Sequence, residues 1–219
     1  MTVTRRRARA ALSGLCVFAG AVIMLVALIA TPGDWLHGYV SEAGAAGQPY
    51  AGVYRTGLLV LAAGIGVLGG VVSPMSRLAA RLLLAAALLA GASGAVTCSA
   101  GCPLPPYERS TLTDLAHATA SVVGMIVLAA AMAAVAWTVR DHVQRRMAAA
   151  ALAPTVPLGA VLGVTMLVAG RGVLSAAVER VVLVVAVSWL IGAATVVAAA
   201  QPTPGMVSRR GTRDRAGRL

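Results

Sequence analysis

Leu115-Ala-His-Ala-Thr-Ala-Ser-Val-Val-Gly-Met-Ile-Val-Leu-Ala-Ala-Ala-Met-Ala-Ala-Val-Ala-Trp-Thr138 contains no Asp, Glu, Lys or Arg. A crossing of the hydrocarbon core of a bilayer takes about 20 apolar residues as a helix, so this stretch is long enough to make one. Working outward, comparable runs lie at about 11–31, 54–73, 78–97, 149–170 and 181–200. The chain is predicted to be all-α, a six-helix transmembrane bundle over 11–200. A basic N-terminal segment at 1–10 and a basic tail at 201–219 flank it, the tail expected to be disordered.

The composition agrees. Apolar residues make up 59% of the 219-residue chain and charged residues 11%, with a mean hydropathy of +0.86. A soluble domain carries about 25% charged residues. The net charge of +11 does not point to nucleic acid, because the basic residues fall between apolar runs and not in one patch. All 18 are arginine. With both termini cytoplasmic, Arg5, Arg6, Arg7, Arg9, Arg77, Arg81, Arg140, Arg145, Arg146, Arg209, Arg210, Arg213, Arg215 and Arg218 lie inside. Only Arg55, Arg109, Arg171 and Arg180 lie outside. That asymmetry fixes the expected orientation. The acids lean the other way, with Asp34, Glu42, Glu108, Asp114 and Glu179 outside and Asp141 and Asp214 inside. Arginine without lysine, beside abundant alanine and glycine, suits a GC-rich bacterial genome, and the expected location is the bacterial cytoplasmic membrane.

The first run is read as a retained helix, since Cys16 precedes most of it and no small-x-small cleavage site follows cleanly. Small residues recur four apart at Gly66 and Gly70, Ala87 and Gly91, Ala120 and Gly124, Gly159 and Gly163, and Ser188 and Gly192, a spacing that lets helices pack closely. Pro154 and Pro157 are expected to bend the fifth helix or delay its start. No internal repeat is visible, which removes support from an inverted-repeat transporter.

Polar chemistry concentrates in two predicted outer loops. In the first, Trp35, Tyr39, Tyr50 and Tyr54 suit headgroup anchors. The second opens with Cys98 and Cys102, read as a structural disulfide or as two free thiols. Thr111 or Thr113 can cap the fourth helix, with Asp114 favourable in its first turn. Asp114, His117 and Ser121 follow at offsets of three and four and so share one helix face. A carboxylate that orients a histidine base is one use of such a face; a hydrogen bond that fixes packing is the other. Ser41, Glu42 and Arg55 are candidate binding residues for the same cleft, with Arg55 either snorkelling or pairing with Glu42 or Asp114. His37, His117 and His142 sit at positions unsuited to haem, and no His-x-x-x-His or equivalent cluster supports zinc. No metal and no cofactor are expected.

Ser41-Glu-Ala-Gly44, Arg55, Cys98-x-x-x-Cys102-Pro-x-Pro105 and Thr113-Asp114-x-x-His117 together resemble the bacterial family called domain of unknown function 998, over most of the chain. Alanine stands at position 43 where the family form carries leucine. The resemblance implies a six-span integral membrane protein without an assigned activity. The leading reading is a non-enzymatic or accessory membrane protein with a polar pocket on its outer face and membrane lipids as its partners. Two others stay open: an enzyme acting on an outer-leaflet lipid-like substrate through Asp114 and His117, and a small transporter of neutral or hydrophobic solutes.

Overall fold

The computed structural model describes residues 2–33, 38–104 and 108–200. Among them are six long helices and no strand: α1 (Val3–Ala30), α2 (Ala51–Val72), α3 (Arg77–Ala95), α4 (Leu112–Thr138), α5 (His142–Val168) and α6 (Val173–Ala199). A short 3₁₀ turn, Val40–Gly44, sits between α1 and α2. All six helices are long and apolar enough to cross a membrane. The predicted six-span all-α bundle is thus borne out, and the chain is a multi-pass membrane protein. Each helix packs on the next in sequence and α1 also packs on α6, closing a ring. Val17, Leu68, Leu83, Met132 and Leu190 fill its centre. Large apolar side chains such as Leu88, Ile126, Leu167 and Val184 point outward, as a lipid solvent allows.

Helix starts follow local chemistry. Asp141 accepts the Gln144 amide at 2.8 Å and begins α5 at His142. The helix therefore starts seven residues before the apolar run at 149 and continues through Pro154 and Pro157. The expected delay does not occur, because the cap lies upstream of both prolines. Similarly, α6 begins at Val173, so Glu179 and Arg180 lie within a helix and not ahead of one.

Helix ends are closed by arginines from neighbouring helices. Arg6 Nε donates to the Val71 carbonyl at the end of α2 at 3.2 Å, and Arg145 Nε to Ala136 near the end of α4 at 3.0 Å. Arg55 donates to Gly94 and Ala95 at the end of α3, at 2.9 and 2.6 Å, and Arg7 to Ala200 just beyond α6. These carbonyls have no intrahelical donor, and a cation there also meets the negative end of the helix dipole.

The tightest backbone approach joins α1 to α2. A Cβ added at Gly20 would lie 2.5 Å from the Gly57 carbonyl oxygen, and one at Gly57 2.8 Å from that of Gly20. Ser13 donates to the Gly64 carbonyl in the same seam at 2.8 Å. The small-residue pairs singled out from spacing fare unevenly. Gly66, Gly91 and Gly124 face neighbouring side chains, whereas Gly70, Gly159 and Gly163 face open space. We expect Gly20→Ala to lower stability by about 1–3 kcal/mol through backbone overlap, read as a lower thermal midpoint in detergent, and Gly159→Ala to leave the midpoint unmoved. Equal effects at the two positions would mean that the seam is not where the helices are most tightly packed.

Candidate functional site

At the end of the bundle that carries the cysteines, Asp114 is 2% exposed and its carboxylate accepts four hydrogen bonds. Two come from Thr111, from its amide at 2.8 Å and its hydroxyl at 2.7 Å, and complete a capping box with Thr111 Oγ1 accepting the Asp114 amide at 3.3 Å. The others come from Ser99, from its amide at 2.6 Å and its hydroxyl at 3.1 Å. One side chain therefore both starts α4 and pins the loop that leaves α3. Thr111, not Thr113, is the cap.

His117, one turn further along α4, turns to α3 instead. Its Nδ1 lies 2.9 Å from the Ser93 carbonyl and 3.3 Å from the Ser93 hydroxyl. A carbonyl only accepts, so Nδ1 carries a proton, and the tautomer of the neutral imidazole that fits this contact has its lone pair on Nε2. Nε2 is buried and has no hydrogen-bond partner. Ser121 donates to the His117 carbonyl at 2.9 Å and shares a 2.8 Å hydrogen bond with Ser93 Oγ. The common face predicted for Asp114, His117 and Ser121 thus splits in two. His117 and Ser121 converge on Ser93, while Asp114 serves Ser99 and Thr111. The histidine is oriented by a backbone carbonyl and not by the carboxylate.

Cys98 and Cys102 are joined in a disulfide with Cα atoms 5.1 Å apart. Their loop packs against the first one: the Ala46 amide donates to the Cys98 carbonyl at 2.9 Å, Ala45 is buried against both cysteines, and the Cys102 sulfur lies 3.8 Å from the Ser41 carbonyl oxygen. Glu42 accepts the Tyr39 amide at 2.9 Å and pairs with Arg171 at 3.2 Å. Arg171 also reaches Glu108 at 2.9 Å and the Gly101 carbonyl at 2.5 Å, so a residue between α5 and α6 ties together the two other loops at this end.

A family model described as a protein of unknown function, DUF998, matches residues 10–196. The chain belongs to this family. No curated protein and no solved structure matches it. In this DUF998 chain the described motif residues fall on one end of the bundle, with different partners from those expected. Arg55 closes α3 and reaches neither Glu42 nor Asp114. Tyr39 and Tyr54 are not headgroup anchors: each is 4% exposed, and Tyr54 packs in a cluster with Ala27, Leu28, Val40 and Ala43. Burial raises the Tyr39 phenol above its ordinary value and keeps it neutral. Tyr50 is 41% exposed. Trp35, His37, Pro105 and the tail from 201 lie outside the described residues.

Sequence reasoning did not single out Ser93, Ser99, Arg171 or Glu179. Glu179 accepts the Val40 amide at 2.7 Å and holds the 3₁₀ turn to α6, while Arg180 donates to the Gly38 carbonyl at 3.0 Å. None of the four lies near its partner in sequence, and only Arg171, an isolated charge between glycines, left a trace. Asp114→Asn turns an acceptor of four hydrogen bonds partly into a donor, and we expect it to cost about 1–3 kcal/mol. Arg171→Gln removes part-exposed ion pairs worth at most about 1 kcal/mol. Thermal midpoints of the two variants in detergent check the order; the reverse order would mean that the ion pairs, and not the buried carboxylate, hold the loops.

Proposed function

We propose that this protein is a non-enzymatic accessory protein of the bacterial cytoplasmic membrane. Both termini lie in the cytoplasm, and the cysteine end faces outward as a preformed cap against lipid headgroups. What carries this reading is the engagement of Asp114, Glu42, Glu108, Arg171 and Arg55 at that end by partners within the chain itself. Asp114 has four internal donors, Glu42 and Glu108 share Arg171, and Arg55 closes a helix. A general base working through Asp114 and His117 needs the two in contact, and the hydrogen bonds of both lead elsewhere.

The orientation rests on the arginines. Those at 5–9, 77, 81, 140, 145 and 146 gather at one end of the bundle and, with the tail at 201–219, face anionic cytoplasmic headgroups. An outward cysteine end also puts Cys98 and Cys102 where a disulfide persists. The transporter alternative is disfavoured by the placement of charge: every charged residue of the six helices lies within about the first two turns of its helix, leaving no charge at mid-bundle.

Two experiments test the proposal. Alkaline phosphatase fused after Ala169 is expected to be active and, fused after Ala200, inactive; the opposite pattern would reverse the orientation. Cells expressing the wild-type chain and the His117→Ala chain are expected to have identical lipid profiles by mass spectrometry. A lipid species that appears or disappears only with the wild type would establish the enzyme reading instead.

A further inference from the structure

We infer that reduction of the Cys98–Cys102 bond converts this end of the bundle into a binding site for one thiophilic d¹⁰ cation, Zn(II) or Cu(I). Its ligands are the two cysteine sulfurs and Nε2 of His117. The inference goes beyond the accessory reading and does not depend on it.

Three observations converge on it. A ring nitrogen of His117 and the sulfurs of Cys98 and Cys102 all lie within 4.8 Å of one another, and the three residues are 7%, 1% and 7% exposed. Around a tetrahedral zinc, bonds of about 2.3 Å to sulfur and 2.0–2.1 Å to nitrogen place two sulfurs roughly 3.8 Å apart and a sulfur and a nitrogen roughly 3.6 Å apart. Cα atoms 5.1 Å apart let the freed sulfurs reach that separation by side-chain rotation. Second, the imidazole is already set as a ligand. Nδ1 is held by the Ser93 carbonyl at 2.9 Å, and Nε2 is buried without a hydrogen-bond partner. Metal-bound histidines are arranged in this way, one nitrogen donating to a carbonyl or carboxylate and the other facing the ion.

Third, the loop is held by hydrogen bonds as well as by the disulfide. Asp114 holds Ser99, the Ala46 amide holds the Cys98 carbonyl, and the Cys102 amide donates to the Ser99 carbonyl at 2.9 Å. Asp114 is thus a positioning residue that keeps both sulfurs above His117 after the bond between them is gone. Two soft sulfurs and an imidazole select zinc or cuprous copper over hard cations. The sequence alone gives no such motif, because Cys-x-x-x-Cys supplies two donors and the third comes from the following helix.

The chemistry balances. A dithiol reductant delivers two electrons and two protons to the disulfide and leaves as its own disulfide; a phosphine leaves as its oxide, with oxygen from water. The cation then displaces both thiol protons to solvent as two metal–thiolate bonds form, while neutral His117 donates its Nε2 lone pair and releases no proton.

The test uses the full chain purified in detergent, in parallel with and without a phosphine reductant. It is titrated with Co(II) as the coloured stand-in for zinc, and with Cu(I) against a chromogenic cuprous chelator. The reduced protein is expected to take up one equivalent of cobalt with thiolate-to-metal absorption, or one of copper withdrawn from the chelator; the two arms tell which ion the site prefers. The oxidised protein takes up neither. Cys98→Ser abolishes uptake, His117→Gln weakens it by more than the roughly 100-fold typical of an outer-shell change, and His117→Cys restores it. X-ray absorption on the metal-loaded wild type, which depends on no variant folding, is expected to show sulfur and nitrogen in the metal's shell. Failure of the reduced wild type to bind either ion, equal affinity in His117→Gln, or a shell without sulfur or without nitrogen would each overturn the site.

Discussion

A backbone inside a bilayer has no water to hydrogen-bond, so every amide and carbonyl that a helix leaves unpaired at its ends needs a partner from the protein. This constraint organises the molecule from end to end. Three helix starts are met by short polar side chains: Ser76 for α3, Thr111 with Asp114 for α4, Asp141 for α5. The last carbonyls of α2, α3 and α4 are met by arginines reaching across from the helix packed beside each one. Arginine suits the task because its fork of donors satisfies two carbonyls at once, as Arg55 does, while its stem lies along apolar surface. The same residues that set orientation in the membrane also close the helices.

At the cysteine end the constraint becomes local and acute, since three connections and several helix termini crowd together there. Two centres resolve it. Asp114 joins the start of α4 to the loop from α3, and Arg171 joins that loop to the first one. They are not equivalent. Asp114 is nearly fully buried and its bonds are charge-assisted, whereas the Arg171 side chain is 30% exposed and its ion pairs are screened. Order at this end is therefore set mainly by the carboxylate. Its engagement also removes it as the orienting partner of His117, a role that passes to the Ser93 carbonyl, while Nε2 has no hydrogen-bond partner.

For a DUF998 member this arrangement separates two questions that sequence motifs run together. The acid of Thr113-Asp114-x-x-His117 is structural, and the histidine is the group with unused bonding capacity. His117 and the two cysteine sulfurs lie together in a buried setting at this end of the bundle.

Six apolar runs of spanning length and the absence of mid-run charge were enough to determine the number and type of the helices, because a continuous apolar run of about 20 residues pairs its own backbone in lipid as a helix. Capping chemistry was legible to within a residue or two at Thr111, since a cap and its helix are neighbours in sequence. Packing was not. Equal four-residue spacings left Gly66 in a helix contact and Gly159 in open space, because spacing gives a face and not what the face meets. The tyrosines of the first loop were read as anchors from their type, yet Tyr39 and Tyr54 are buried, Tyr54 against Val40 and Ala43 of the 3₁₀ turn. The site shows the same division. Sequence brought Asp114, His117 and Ser121 to one helix surface; only the tertiary structure decided that Ser99, Ser93 and the cysteine pair would be their partners. Those partners arrive from other segments, and their approach depends on how closely whole helices pack.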